Sequence, residues 1–327
     1  MTGELENMLS DTGLWAIMMA GGEGTRLKAF VQQCLGSDAP KQFCTFVGKR
    51  TMLQHTIHRA SRLIPRSRMV VVGTEHHRAY MEASLGAAPS EWILLQPFQR
   101  DTAPGLLLAL VHVLRRDPAA VVAVFPTDHF VQPGWRFMET VSEAVRFASQ
   151  NTGRNIVVLG AQPTAPEPDY GWIQPGQRMA AFIRRPLHRV EGFVEKPAIE
   201  EAGRLMEGGW LWNTMVIVAP AQSLFDLIAE AVPQVASYFA MVRLAIGTQQ
   251  EKRVVQSVYR LLPSLSFSAA VLARHPERLA VLPVHDVVWS DWGRGDRVVG
   301  TLRRLGLPPP VRVPTAAWPN VTDAPIN

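Results

Sequence analysis

The sequence predicts an α/β layered domain, on three observations. Short, continuously apolar segments recur along the chain and read as buried strands of a largely parallel sheet. Stretches with helical apolar spacing lie between most of them. Alternation of strand and helix over 327 residues implies right-handed crossovers and helices packed on the sheet.

Composition narrows the classes. Apolar residues make up 47% and charged residues 19%, a globular balance that excludes wholesale disorder. The longest apolar runs, near Gly105–Leu114 and Ala119–Phe125, fall short of the ~18–20 residues a membrane helix needs, so no membrane span is expected. Two cysteines, Cys34 and Cys44, are too few for a disulfide framework and fit a reducing cytoplasm. The formal charge is +5, but Lys and Arg are scattered, with pairs only at Arg115–Arg116, Arg184–Arg185 and Arg303–Arg304. These read as solvated surface rather than a nucleic-acid face. Residues 1–13 carry Glu4, Glu6 and Asp11 without Lys or Arg and read as a loose leader, with no secretory signal.

The first strand, Leu14–Ala20, runs into Gly21-Gly22-Glu23-Gly24-Thr25-Arg26-Leu27. A glycine-rich turn after a strand exposes backbone N–H groups that can cradle phosphate, and Arg26 adds a planar cationic fork. No Gly-Lys-Ser/Thr closes it, and Leu27 stands where a dinucleotide fingerprint has its third glycine, so neither of those motifs applies. On its own such a run is as readily a tight turn. Pro40-Lys41-Gln42-Phe43 follows; Lys41 is a point charge for a second phosphate or an ordinary surface lysine.

Thr51–Leu63 has helical spacing, Met69–Gly73 and Trp92–Gln96 read as strands, and Ala103–Arg115 as a helix. The strand Val121–Phe125 ends in Pro126-Thr127-Asp128-His129. Ligands of open α/β sheets bind beyond C-terminal strand ends, where Asp128 can hold a hard divalent cation or simply cap the next element. His129 reads as a packing neighbour before a ligand. Further along come a helix over Trp135–Ser149, a strand over Ile156–Gly160 and Pro-rich punctuation at Pro163–Pro168. Tyr170-Gly171-Trp172 offers a backbone a ligand can approach. Glu195-Lys196 places opposite charges at a strand end before a helix over Ala198–Glu207. Asn213 offers an amide suited to sugar hydroxyls. Trp172 and Trp212 read as core. Met215–Val218 and Leu279–Pro283 read as strands, with a helix over Ala221–Ala231. Trp289-Ser290-Asp291-Trp292-Gly293 supplies a second carboxylate 163 residues after Asp128; spacing alone does not bring the two together. Pro308–Asn327 reads as an irregular tail, leaving 14–307 as the main folded domain.

Taken in order, these segments resemble the sugar-phosphate nucleotidyltransferase family, and within it the mannose-1-phosphate guanylyltransferase branch. The resemblance rests on Gly-Gly-x-Gly-Thr-Arg-Leu, Pro-Lys-Gln-Phe, Arg100-Asp101-Thr102-Ala103-Pro104, Pro-x-Asp-His, Tyr-Gly-x-Ile, Val-Glu-Lys-Pro, Trp-Asn and Trp-Ser-Asp-x-Gly, spanning Leu14 to about Gly293. It implies a Rossmann-like nucleotidyltransferase fold with a mixed, mostly parallel central sheet flanked by helices. It implies transfer of a guanylyl group from GTP to mannose-1-phosphate, giving GDP-mannose and pyrophosphate. By carry-over, Arg26 and Lys41 would be catalytic, and Gly21, Gly22, Gly24, Thr25, Arg100 and Thr102 would bind the nucleotide. Gly171, Glu195, Lys196 and Asn213 would bind the sugar phosphate, and Asp128 and Asp291 would hold Mg2+. The partners implied are GTP and a sugar-1-phosphate, with a homodimer left open.

The chain departs from the family pattern in three places. The run Lys28–Asp38 after Arg-Leu is different and longer, Met215 stands where the family has Gly, and Ser266 stands where a carboxylate is common. These departures keep two alternatives open: another hexose- or heptose-1-phosphate as substrate, or a catalytically silent nucleotide-sugar-binding regulator.

Overall fold

The computed structural model describes residues 13–86, 92–150, 156–179 and 184–308, with 310. The expected leader and tail lie almost wholly outside them. The central element is a nine-stranded sheet in the order β3-β2-β1-β4-β9-β6-β10-β8-β7. Its strands are β1 (Leu14–Met19), β2 (Met69–Thr74), β3 (Ile93–Gln96), β4 (Val121–Pro126), β6 (Ile156–Ala161), β7 (Gly171–Arg178), β8 (His188–Glu195), β9 (Leu211–Pro220) and β10 (Leu279–Val284). A separate ribbon pairs β5 (Phe130–Gln132) with β11 (Val288–Ser290).

All the apolar runs expected to be strands are strands, and all but the edge strand β3 are buried on both faces. Strands β1, β2, β3, β4, β6, β7 and β10 run one way; β8 and β9 run the other. The sheet is therefore mixed, with β9 inserted antiparallel between the parallel sets. Strand β9 is much longer than the expected Met215–Val218, because Leu211–Asn213 also pair with β6 and β7 although Asn213 and Thr214 interrupt the apolar run.

Period-two alternation divides the core between the two faces. Trp15 and Ile17 of β1 join one apolar cluster, while Leu14, Ala16 and Met18 join the other. The first face is covered by α4 (Thr102–Arg116), α7 (Ala221–Ala231), α8 (Pro233–Ala245) and α9 (Glu251–Leu261), the other by α2 (Met52–Ala60) and α5 (Gly134–Gln150). Helix α4 is buried from Ala103 to Leu114, which explains its nearly unbroken apolar sequence. Helix α2 starts with a reciprocal cap: the Gln54 backbone N–H donates to Thr51 Oγ1, and the Thr51 N–H donates to Gln54 Oε1. The remaining helices are α1 (Lys28–Leu35), α3 (Arg78–Leu85), α6 (Ile199–Glu207), the single turn α10 (Phe267–Ala270) and α11 (Gly295–Arg304).

A third, smaller cluster positions the site. Leu27 and Val31 pack with Phe46, Phe130, Trp292, Val298 and Leu302. Trp292 is fully buried and stacks on Phe130 at 4.5 Å. The chain after the first glycine-rich turn is thereby fixed to the chain around Asp291, although the two are far apart in sequence. The unusual Lys28–Asp38 run is part of this anchor, as helix α1. Among the described residues no helix is long and apolar enough to cross a membrane.

Candidate active site

A cavity of about 380 Å³ opens at the C-terminal ends of β1, β3 and β4, lined by Met19, Gln96 and Pro126 at those ends. This is where ligands sit in open α/β sheets. Of the residues expected to act, Gly21, Gly22, Arg26, Lys41, Thr102, Asp128, Gly171, Glu195, Lys196, Asn213 and Asp291 line it. Gly24, Thr25 and Arg100 do not. Arg100 is turned elsewhere: its Nε donates to the Tyr259 carbonyl at 3.1 Å and its guanidinium lies over Phe98. The expected nucleotide contact of Arg100 has no support in this geometry.

The glycine-rich turn follows β1 directly. Gly24 has φ 63°, a conformation L side chains resist, and a Cβ there would stand 3.1 Å from the Lys41 amide nitrogen. The turn is held from beneath by Gln42, whose Nε2 donates to the carbonyls of Ala20 (2.9 Å) and Gly22 (2.7 Å). Gln42 is 2% exposed. Its role was not legible beside the charged Lys41, although both sit in the same Pro-Lys-Gln-Phe step.

Lys41 is buried, and its Nζ lies 2.9 Å from Asp128 Oδ2 while donating to the Asp291 backbone carbonyl at 2.5 Å. One ammonium therefore joins the two acidic segments. Burial alone would push the Asp128 carboxyl up; Lys41 and His129 outweigh it and hold it below the usual carboxylate range. Asp291 follows the same pattern: burial is outweighed by Lys41, His129, Arg297 and the Gly293 N–H. Burial lowers His129, whose ring stands edge-on to Trp289, in keeping with the packing role read from the sequence.

Three acidic or basic residues escaped the sequence reading. Arg297, at the start of α11, contacts Glu167, Asp169 (2.5 Å) and Asp291 Oδ1 (2.8 Å). Its guanidinium also lies 4.7 Å over the Tyr170 ring. Arg26, more than half exposed, pairs with Asp169 at 3.0 Å. The Asp291 Oδ1 atom further accepts from Tyr170 OH (3.0 Å) and the Gly293 N–H (2.8 Å). Asp291 Oδ2 and Asp128 Oδ1 accept no hydrogen bond from the described residues, Asp128 Oδ1 lying 3.6 Å from His129 Nε2, so each carboxylate has an oxygen that could hold a hard cation. That donor set suits Mg2+.

On the opposite wall, a Cβ at Gly171 would stand 2.8 Å from Glu195 Oε2 and 3.3 Å from Asn213 Cβ, so glycine is what lets these side chains approach. Burial pushes the Glu195 carboxyl up, against the pull of Lys196. The register of β9 against β6 slips between Val158↔Ile217 and Gly160↔Asn213, and Met215 sits in this bulge with φ 58°. Such a position favours glycine. Met215 Sδ accepts from Asn213 Nδ2 (3.2 Å) and Ser268 Oγ (2.9 Å), so the Asn213 amide is engaged on its own strand. Ser266 caps α10 and lines the cavity.

Fold and cavity together define a Rossmann-like α/β protein with a cavity at the C-terminal strand edge. Residues 15–296 match the Nucleotidyl transferase family, and the chain belongs to it. It is 31% identical over 287 residues to a mannose-1-phosphate guanylyltransferase of Sinorhizobium fredii, covering 86% of this chain and 53% of that protein. It is 31% identical to the xanthan biosynthesis protein XanB of Xanthomonas campestris, covering 85% and 57%. The chain thus spans little more than half the length of these curated relatives. A Thermus thermophilus structure, described as a mannose-1-phosphate geranyltransferase, superposes with TM-score 0.75 at 29% identity, covering 88% of this chain and 79% of that one.

Proposed function

We propose that this chain transfers a guanylyl group from GTP to mannose-1-phosphate, releasing pyrophosphate. The observation that supports it best is the convergence of Lys41, Asp128 and Asp291 beside the glycine-rich turn. Mannose-1-phosphate guanylyltransferase is the name borne by several relatives at about 30% identity. In this reading, a phosphate oxygen of the sugar-1-phosphate attacks the α-phosphorus of GTP in line. The new P–O bond forms as the bond to the β-phosphate bridging oxygen breaks, and that oxygen leaves with pyrophosphate. No proton need move, so the protein's work is positioning and charge compensation.

The backbone of Gly21 and Gly22 would receive the triphosphate. Arg26 would leave Asp169 for the departing phosphates, and Lys41 would stabilise charge at the α-phosphate. Glu195, Lys196 and Asn213 would orient the sugar phosphate. The charges lining the cavity favour a divalent cation in this reading. Arg26, Lys41 and Lys196 face Asp101, Asp128, Asp169, Glu195 and Asp291, an acidic surplus that would repel two phosphorylated substrates. Asp128 and Asp291 would hold Mg2+, which would supply the missing positive charge on phosphate oxygens.

A second reading, a different hexose- or heptose-1-phosphate as acceptor, is favoured by one observation: Met215 occupies the bulge and engages Asn213. A turnover panel of nucleoside triphosphates against sugar-1-phosphates tests both. Turnover of GTP with mannose-1-phosphate above all other pairs supports the first. Preference for another sugar phosphate supports the second. Nucleotide-sugar binding with no turnover of any pair rejects both in favour of a silent regulator.

A further inference from the structure

Glu23 lies inside the glycine-rich turn, between Gly22 and Gly24, yet does not line the cavity. It faces the segment that follows β2. Strands β1 and β2 are parallel neighbours, so the turns after them emerge side by side at the same sheet edge. His76 and His77 stand on that second turn. His76 Nε2 lies 2.9 Å from Glu23 Oε1, and His77 Nε2 lies 3.8 Å from Glu23 Oε2. The three residues bring one ligand atom each within 4.8 Å of one another.

His77 supplies the independent observation. It is 2% exposed, and its Nδ1 is buried without a hydrogen-bond partner. Its Nε2 is beyond hydrogen-bond range of Glu23. A buried imidazole nitrogen without a partner, as at His77 Nδ1, is unusual, since buried polar groups are nearly always satisfied, and no neighbouring hydrogen bond fixes which nitrogen of this ring is free to ligate. The ring is held in place, edge-on to Phe43 at 5.7 Å and 4.0 Å from the His76 ring. Two imidazoles and one carboxylate around a tetrahedral ion, with bonds of ~2.0–2.2 Å, would place ligand atoms roughly 3.3–3.5 Å apart. Taken from one ligand atom, Glu23 Oε2, the separations are 3.2 Å to His76 Nε2 and 3.8 Å to His77 Nε2, on either side of that value. Imidazole ligands select borderline transition cations over Mg2+.

We propose that Glu23, His76 and His77 form a binding site for a transition-metal dication of the zinc type, which ties the glycine-rich turn to the segment after β2. The site is separate from the Asp128–Asp291 pair in position and in ligand chemistry. The proposal does not depend on which reaction the cavity performs. Bound metal would hold the turn in one shape.

The test is calorimetric titration of the full chain with Zn2+ in excess Mg2+, alongside His76→Ala and Glu23→Gln. His76 is exposed, so its removal leaves the fold intact, which circular dichroism checks. The expected result is one tight equivalent in the parent protein, weakened about tenfold or more in both variants. Co2+ substitution should give a visible absorption band in the parent that His76→Ala loses. Equal Zn2+ affinity and stoichiometry in all three proteins, or no binding in the parent, would overturn the proposal.

Discussion

Lys41 and Asp128 form a 2.9 Å ion pair in which the lysine is almost wholly buried and the aspartate keeps a third of its surface open to the cavity. The pair is held by packing on one side and available to a ligand on the other. Replacing Lys41 with Met should lower kcat about a hundredfold or more, the scale seen when one preorganised charge contact to a transition state is lost. Asp128→Ala should abolish turnover with the fold retained. Steady-state kinetics with a far-ultraviolet spectrum of each variant checks both.

Gln42 tests whether the glycine-rich turn needs support from below. Its two hydrogen bonds, to Ala20 and Gly22 carbonyls, are worth about 1 kcal/mol each. Gln42→Leu is expected to raise KM for the nucleotide several-fold and to leave KM for the sugar phosphate unchanged. An equal rise in both would show that the residue only stabilises the fold.

Arg297 clamps Glu167, Asp169 and Asp291 with an 8% exposed side chain. Arg297→Met leaves three carboxylates facing one another and should cost about 3 kcal/mol, measured by urea unfolding at neutral pH. Part of the loss should return as pH falls, because protonating those carboxyls removes their repulsion. Arg297→Lys keeps the charge but cannot fork between partners, so an intermediate loss is expected.

Glu195 predicts a pH dependence of the opposite sign to that of Asp128 and Asp291. Its folded carboxyl is raised by burial above the ordinary value of ~4.3. Within that window the folded chain binds more protons than the unfolded one, so its contribution falls as pH rises through the folded value. Glu195→Gln should remove that fall, making the urea midpoint less pH-dependent above about pH 4. Asp128 and Asp291 are held low, so their contribution is present above about pH 4 and is lost on acidification through their folded values.

Met215→Gly relieves a positive-φ side chain, a strain of roughly 1–2 kcal/mol, and frees the Asn213 amide. A lower KM for the sugar phosphate at unchanged KM for the nucleotide is expected. If neither constant moves, Met215 does not shape the sugar side.

Much of this arrangement was legible because strands buried on both faces announce themselves as unbroken apolar runs. Strands β7 and β8 were not, since Pro175, Gly176 and Gly192 interrupt them and their outer ends are exposed. Helices α8 and α9 were missed for different reasons. The first mixes apolar residues around most of its circumference, and the second follows a turn with no side-chain cap. The order of motifs predicted that Lys41, Asp128 and Asp291 share a cavity, which spacing could not do. The hidden partners were those whose work is to hold other side chains. Glu167 sits in the Pro-rich stretch Pro163–Pro168 that reads as mere punctuation, Asp169 directly follows it, and Arg297 looks like any charge on an amphipathic helix. Arg100 shows the converse: its neighbour Thr102 faces the cavity, while Arg100 is committed to the Tyr259 carbonyl.

The most direct measurement is exchange of labelled pyrophosphate into GTP, with GDP-mannose and Mg2+, by the parent protein and by Asp128→Ala. The geometry predicts exchange that requires the divalent cation and disappears in the variant. Exchange at the parent rate in Asp128→Ala, or none in the parent with any nucleotide-sugar, would contradict it.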